Sequence, residues 1–77
     1  MKVTVKYYGL TSEIGIKEEN IELGGSTYAA LKAILDTKYH PLTYTPTLCL
    51  KDGVPMSPET ELEDGGTVIL VRQIGGG

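Results

Sequence analysis

Three consecutive glycines at the end of the sequence, Gly75, Gly76 and Gly77, are the residues with the clearest chemical potential. The last of them is expected to carry a free carboxylate. Because glycine has no Cβ, such an arm can pass through a narrow channel and adopt backbone angles that other residues avoid. With Ile74 as its hinge, four extended residues span about 13–14 Å at ~3.3–3.6 Å per residue. Taken alone, the three glycines favour an idle chain end rich in small residues. Together with the strand pattern and the residues that precede them, they favour a carboxylate presented to another protein.

The other reactive side chains do not form a catalytic pattern in the sequence. Cys49 lies between two leucines with no His nearby, which is typical of a structural thiol. The single His, His40, and the single Cys are too few for a zinc site. Paired carboxylates do acid–base work only in a pocket that separates their pKa values, so the acidic residues at 18–19 and 61–64 are interpreted as solvated loops. We therefore expect no bound metal or cofactor and a chain that is not catalytic alone.

The charge and composition of the chain argue against several classes of partner. It has seven Lys and Arg against ten Asp and Glu, a formal net charge of −3, and no basic cluster. A basic patch supplies most of the affinity for nucleic acid, so we expect neither nucleic acid nor an anionic membrane surface as a partner. No apolar run approaches the ~20 residues of a transmembrane helix, and the first residues are typical of a strand rather than a signal peptide. With one Cys and therefore no internal disulfide, the sequence predicts a cytoplasmic protein.

Alternating side chains and turn residues predict the strands that position the glycine arm. The first strand places Val3, Val5 and Tyr7 on one side, as in a half-buried strand. The Asp52–Gly53 pair predicts a tight turn, and Pro55 limits the strand after it to a short edge piece. The last strand is almost continuously apolar, which suits the centre of a sheet. We predict strands at residues 2–8, within 16–23 (clearest at 20–23), at 47–51, at 54–56 and at 67–74.

One helix is predicted between the second and third strands. Ser26 or Thr27 can cap it by accepting a hydrogen bond from a free backbone N–H group. It is expected to run from about residue 28 to 38, and Pro41 prevents its continuation. Its apolar stripe comprises Leu31, Ile34 and Leu35.

The order of these elements predicts the fold class. Two hairpin-like halves flank one helix, which must cover one face of the sheet. Pairing the last strand with the first places a parallel pair in the middle of a mixed sheet. We therefore predict an α+β protein with the β-grasp, or ubiquitin-like, arrangement: four to five strands covered on one face by one helix. The predicted domain comprises residues 1–74, followed by a flexible glycine tail at residues 75–77.

Three stretches of the sequence resemble a known family. Residues 67–77, a Thr-led apolar strand followed by a linker and terminal glycines, resemble the end of ubiquitin. Asp52–Gly53 and the spacing Thr60-x-Leu62-x-Asp64-Gly65-x-x-Val68 resemble bacterial and archaeal sulfur carriers, namely the small subunit of molybdopterin synthase and the thiamine-pathway carrier. The spacing Val3-x-Val5-x-Tyr7-x-Gly9, with Ile14-Gly15 after it, is more similar to the molybdopterin branch. The chain departs from that branch in lacking Pro just before the tail and in having a third glycine at Gly75.

The resemblance implies a chemistry and a set of partners. An adenylating, E1-like activating enzyme would use ATP to convert the Gly77 carboxylate to an acyl-adenylate. A sulfur donor such as a cysteine desulfurase or a rhodanese would then supply sulfur, giving a thiocarboxylate. The larger subunit of the synthase would accept that sulfur. The alternatives are a thiamine-pathway carrier, a ubiquitin-like modifier that forms isopeptide bonds with lysines, and a β-grasp interaction module with an inert tail.

Alternation in the last strand also predicts a partner surface. Val68 and Leu70 are expected on the helix-covered face, so Ile69 and Val71 point outward, where polar side chains are usual. We predict that these two residues, with Arg72, bind a partner next to the tail. Cys49 is expected to share this outer face if Leu48 and Leu50 point inward. The alternative is that an exposed β-branched residue merely favours the strand.

Overall fold

The chain forms one mixed sheet with one helix packed on it. The computed structural model describes residues 1–73, and the sheet order is β2-β1-β5-β3-β4. At its centre β1 and β5 are parallel, with Val5 opposite Val68 and Tyr7 opposite Leu70. The strands are β1 (Lys2–Tyr8), β2 (Glu18–Glu22), β3 (Thr47–Lys51), β4 (Val54–Pro55) and β5 (Thr67–Arg72), and the helix α1 is Tyr28–Lys38. The predicted fold class is confirmed.

The core lies between the helix and one face of the sheet. Leu31 and Leu35 of α1 are buried against inward-facing residues of β1 and β5, and Ile34 is partly buried beside them. The strand residues of this core include Val3, Val5, Tyr7, Ile21, Val68 and Leu70. The predicted inward faces of β1 and β5 are therefore confirmed.

Local chemistry sets the ends of the elements. The helix begins after Thr27, whose hydroxyl accepts a hydrogen bond from the Ala30 N–H at 3.3 Å, so Thr27 rather than Ser26 is the cap. In the hairpin between β3 and β4, Asp52 and Gly53 both have positive φ (53° and 79°), which a two-residue turn of type I′ requires. The segment after the helix contains a 3₁₀ turn, His40–Thr43, whose first positions include Pro41. Proline suits this position because its fixed φ is already helical.

The orientation of β3 corrects one prediction. Cys49 points into the core and is 3% exposed, whereas Leu48 and Leu50 lie on the outer face. The register explains this, because Cys49 is opposite the buried Leu70, and residues opposite each other in a sheet share a face. The expectation that Cys49 lies on the outer face beside Ile69 is therefore wrong.

A carboxylate hub ties the first hairpin to the end of the helix, so the interpretation of Glu19 as part of a solvated loop is wrong. The Glu19 carboxylate accepts hydrogen bonds from the Tyr7 hydroxyl at 2.6 Å and from the Tyr39 hydroxyl, and it pairs with the Lys38 ammonium group. The two tyrosine rings meet edge to face, with centroids 6.0 Å apart. Burial and the nearby carboxylate raise the pKa of Tyr39 to about 12. Tyr7 shows a rise in pKa from the same causes, so both hydroxyls stay neutral donors.

Candidate functional site

The carboxyl end of β5 is the point from which the predicted arm would extend. Arg72 is the last residue of the strand, and the N–H of Gln73 donates a hydrogen bond to the Pro46 carbonyl at 3.0 Å. This contact continues the ladder between β3 and β5 by one residue. The predicted site residues Ile74, Gly75, Gly76 and Gly77 lie outside the described residues. The structure therefore describes the surface around Arg72 and Gln73, which we call the root of the arm.

An apolar patch covers the outer face of the sheet at this end. Ile69 lies opposite Leu50, and Val71 lies opposite Leu48 on one side and Tyr8 on the other. Opposed residues share a face, so all five side chains point away from the helix. We call these five residues, Tyr8, Leu48, Leu50, Ile69 and Val71, the outer patch.

The outer patch is open to solvent in the described chain. Tyr8 is 54% exposed and Leu48 is 36% exposed, while Ile69 and Val71 are partly buried by their neighbours. Lys6 lies opposite Ile69 and therefore borders the patch on the same face. Contiguous exposed apolar side chains with a polar border are typical of an interaction surface. The structure thus places Ile69 and Val71 as predicted and surrounds them with three further apolar residues.

Arg72 lies apart from the outer patch. Its position in β5 alternates with Val71, so its side chain is on the side of the buried Leu70. There the guanidinium group donates through Nε to the Gly9 carbonyl at 2.9 Å and pairs with the Glu13 carboxylate. The structure therefore separates Arg72 from Ile69 and Val71, with which it was grouped as a partner-binding residue, and shows its guanidinium group in contact with the loop after β1.

The loop after β1 is built to present Glu13. Gly9 has a φ of +71°, a left-handed angle that glycine adopts at little cost. Leu10 is buried in the core, and its carbonyl accepts hydrogen bonds from the Glu13 N–H at 3.2 Å and the Ile14 N–H at 2.8 Å. The hydrogen bond from Arg72 lowers the pKa of Glu13 and keeps its carboxylate charged.

The remaining candidates do not form a second site. Burial raises the pKa of the Cys49 thiol to about 12, so this residue is not poised as a nucleophile. His40 lies in the 3₁₀ turn with its ring edge to face with Tyr44. Within residues 1–73, no group of three metal-ligating side chains converges. In the same part of the chain, no helix is long and apolar enough to cross a membrane.

Sequence reasoning missed Tyr8, Leu48 and Leu50 as members of the outer patch. Two leucines flanking a cysteine favour the interpretation that the leucines point inward. The register of β3 with β5 would have identified these residues, because the outward-facing Ile69 and Val71 must lie opposite outward-facing residues of β3. Glu13 was missed as well, because it lies 59 residues from Arg72 in the sequence.

The sheet order, the covering helix and the central parallel pair define the β-grasp, or ubiquitin-like, class of fold. Solved structures show which proteins share it. A Pyrococcus furiosus protein assigned as subunit 1 of a molybdopterin converting factor superposes with a TM-score of 0.83, at 22% identity over 96% of this chain and 99% of that chain. SAMP1 from Haloferax volcanii superposes with a TM-score of 0.80, at 15% identity over 100% of both chains.

A third structure extends the comparison. The small archaeal modifier protein 1 from Methanosarcina acetivorans superposes with a TM-score of 0.79, at 21% identity over 99% of this chain and 96% of that chain. At such identities the likeness shows the fold. Neither a protein-family model nor a curated protein sequence matches the chain.

Proposed function

We propose that this protein is a sulfur carrier that acts in the cytoplasm and whose working group is the carboxylate of Gly77. The proposed setting is the biosynthesis of a molybdopterin or tungstopterin cofactor, where the chain is the small subunit of the synthase and is not catalytic alone. The observation that carries the proposal is the outer patch, which lies beside the root of the glycine arm on a β-grasp domain. The likeness in fold to a molybdopterin converting factor subunit supports the same setting.

The chemistry starts from a group that must be activated. A carboxylate is a poor electrophile, so an E1-like enzyme transfers AMP from ATP to the Gly77 carboxylate and releases pyrophosphate. A persulfide on a desulfurase or rhodanese then attacks the acyl carbon with its outer sulfur and displaces AMP, forming an acyl disulfide with the donor. A thiol attacks the donor's sulfur, to which it becomes joined in a disulfide, and the carrier is released as the thiocarboxylate. The resulting thiocarboxylate delivers sulfur to the larger synthase subunit. Gly75 and Gly76 provide the slim arm, and Ile74 its hinge, for entry into both partner sites.

The proposal is tested by the intact mass of the protein isolated from its native cells without reductive work-up. A fraction heavier by the exchange of one oxygen for sulfur, located at Gly77, supports it. A mass that stays unchanged after incubation with ATP, a sulfur donor and the activating enzyme of the same organism contradicts it. Gly76→Val is expected to keep the normal circular dichroism spectrum and lose adenylation, because a β-branched residue does not fit a narrow channel. Unchanged adenylation of this variant would contradict the threading of the arm.

The outer patch is proposed to dock the activating enzyme and the synthase subunit. Ile69→Asp places a charge in the middle of the patch and is expected to raise the KM for adenylation, since burying an unpaired carboxylate at an interface is costly. Thr67→Asp is the matched control, because Thr67 lies on the same face of β5 at its exposed start. If Ile69→Asp is adenylated like the control, the patch has no role in docking.

A protein modifier is the second candidate function. Two of the structures with the same fold are small archaeal modifier proteins, and activation by adenylation is common to both functions. Species linked to target lysines on a denaturing gel, lost in a chain without Gly76 and Gly77, would favour this candidate. The same deletion without any phenotype would instead favour an interaction module with an inert tail.

A further inference from the structure

The contact between Arg72 and the loop after β1 joins two distant parts of the chain at the root of the arm. Arg72 and Glu13 are 59 residues apart, and Arg72 and Gly9 are 63 apart. The Glu13 side chain is 14% exposed, although it belongs to a surface loop, and the Arg72 side chain is 37% exposed. A charged side chain that is mostly buried and paired with an opposite charge is held in a defined position, unlike a solvated surface pair.

The contact holds Arg72 from two directions. The Arg72 Nε atom donates to the backbone carbonyl of Gly9, and Nη2 pairs with the Glu13 carboxylate. A planar guanidinium group with two fixed acceptors has little rotational freedom. On the other side of β5, the Gln73 N–H is held by the Pro46 carbonyl. The last two described residues are therefore fixed by loops from both neighbouring strands.

We propose that Glu13 and Arg72 form a latch that fixes the point and direction at which the chain leaves the sheet, so that the arm enters the activating site in a reactive geometry. This inference rests on the proposed function and assigns Arg72 a positioning role in place of a docking role. Arg72 of the latch and two residues of the outer patch belong to the same strand, β5. The latch therefore keeps the position of Gln73 fixed relative to the outer patch that docks the partner. An arm whose root is already ordered loses less conformational entropy when it enters a channel.

The inference predicts that breaking the latch lowers kcat for adenylation and leaves KM nearly unchanged. Docking depends on the outer patch, which the latch does not touch, so breaking the latch leaves KM for the carrier within about twofold. The reactive geometry depends on the root of the arm, so kcat for adenylation falls about tenfold, which corresponds to 1.4 kcal/mol in the activation free energy. Glu13→Arg is the variant for this test, because it replaces attraction with repulsion at Arg72.

Two further variants separate the latch from general damage. The charge-swapped double variant, Glu13→Arg with Arg72→Glu, is expected to recover kcat to within about threefold of the wild type. Glu22→Arg is the matched control, since Glu22 is exposed and lies opposite Lys2 at the far end of β1. It is expected to behave like the wild type in both KM and kcat.

A spectroscopic measurement reports on the latch independently of catalysis. In the wild type, the ¹H–¹⁵N nuclear Overhauser effects of the Arg72 and Gln73 amides are expected to match those of the rest of β5. They are expected to fall in Glu13→Arg and to recover in the double variant. Unchanged values in Glu13→Arg would show that the ion pair does not order the root of the arm.

The kinetic outcomes distinguish failure of the latch from failure of the proposed function. A wild-type protein that the activating enzyme does not adenylate overturns the proposed function and the role of the latch with it. A wild-type protein that is adenylated while Glu13→Arg keeps its full kcat overturns the latch alone. A rise in KM with unchanged kcat also overturns it, because Glu13 and Arg72 would then belong to the docking surface.

Discussion

Replacing Glu19 with Gln changes one functional group, yet it is expected to lower the free energy of unfolding of the domain strongly. The Glu19 side chain is 13% exposed and accepts hydrogen bonds from two tyrosine hydroxyls and one lysine. Gln has the same length, so the substitution removes the charge with little change in packing. Both hydroxyls donate to Oε2 and Lys38 pairs with Oε1, so a Gln oxygen that serves the hydroxyls leaves its amide N–H groups facing the Lys38 ammonium group.

The magnitude follows from the three contacts. A hydrogen bond to a charged group contributes about 1.5–3 kcal/mol, while the pair with Lys38, whose side chain is 48% exposed, contributes at most ~1 kcal/mol. The contacts share one carboxylate and do not add, and the neutral amide oxygen of Gln still accepts from the two hydroxyls about half as strongly, so we expect a loss of about 2–3 kcal/mol. For a domain of this size, that lowers Tm by roughly 8–24 °C.

The effect is expected to depend on pH in a defined direction. Burial alone raises the pKa of Glu19, but hydrogen bonds from Lys38, Tyr39 and Tyr7 outweigh it and hold the pKa below its ordinary value. Because the folded pKa is below the unfolded one, the stabilisation is fully present above the unfolded pKa of about 4.3. It is lost as the pH falls through the folded pKa. The difference in unfolding free energy between wild type and Glu19→Gln should therefore shrink in acid.

Urea denaturation followed by far-ultraviolet circular dichroism measures this difference, since the chain has no Trp for fluorescence. Glu22→Gln on the same strand is the control, because Glu22 is exposed, and its effect should stay within ~0.5 kcal/mol. Equal stability of Glu19→Gln and the control at neutral pH would refute the reasoning about the hub. A difference that persists unchanged in acid would refute the assignment of the effect to the charge.

Three further predictions concern the core, the helix cap and the thiol. Leu31→Ala should cost about 2–5 kcal/mol in unfolding free energy, because Leu31 is fully buried; a smaller loss in denaturation would contradict its central place in the core. Thr27→Ala should cost about 1 kcal/mol through loss of the cap, and Ser26→Ala clearly less, as thermal unfolding can show. Iodoacetamide should leave Cys49 unmodified in the native protein at mildly alkaline pH and alkylate it in guanidinium chloride, because burial keeps the thiol protonated; labelling of the native state, read by mass, would contradict this.

The elements with strong local signals were predicted with the bounds that the structure shows. Strand β1, the helix and β3 begin and end at the predicted residues, because alternation and capping act within a few residues. The last strand was predicted to reach residue 74, but it ends at Arg72, and Gln73 lies outside it. The second strand, predicted within residues 16–23, is Glu18–Glu22, and its bounds were predicted less sharply because only one neighbour constrains an edge strand.

The predictions that depended on contacts between strands were less complete. The inward side of β3 could not be read from its own residues, since both of its faces meet apolar neighbours and alternation then carries no information. Its register with β5 decides the question and places Cys49 inside. The latch has no local signal at all, because Glu13 and Arg72 meet only after the parallel pair of β1 and β5 has formed.

The outer patch and the latch are separable because they lie on opposite sides of β5. Ile69 and Val71 face outward, whereas Arg72 reaches Glu13 on the inner side, and the side chains of the two groups share no hydrogen-bond partner in residues 1–73. Effects of substitutions without shared partners add in free energy. Ile69→Asp combined with Glu13→Arg should therefore lower kcat/KM by the product of the two single effects. A double variant no worse than the weaker single variant would show that docking and arm positioning are one step, and the separate roles assigned to the two groups would then be wrong.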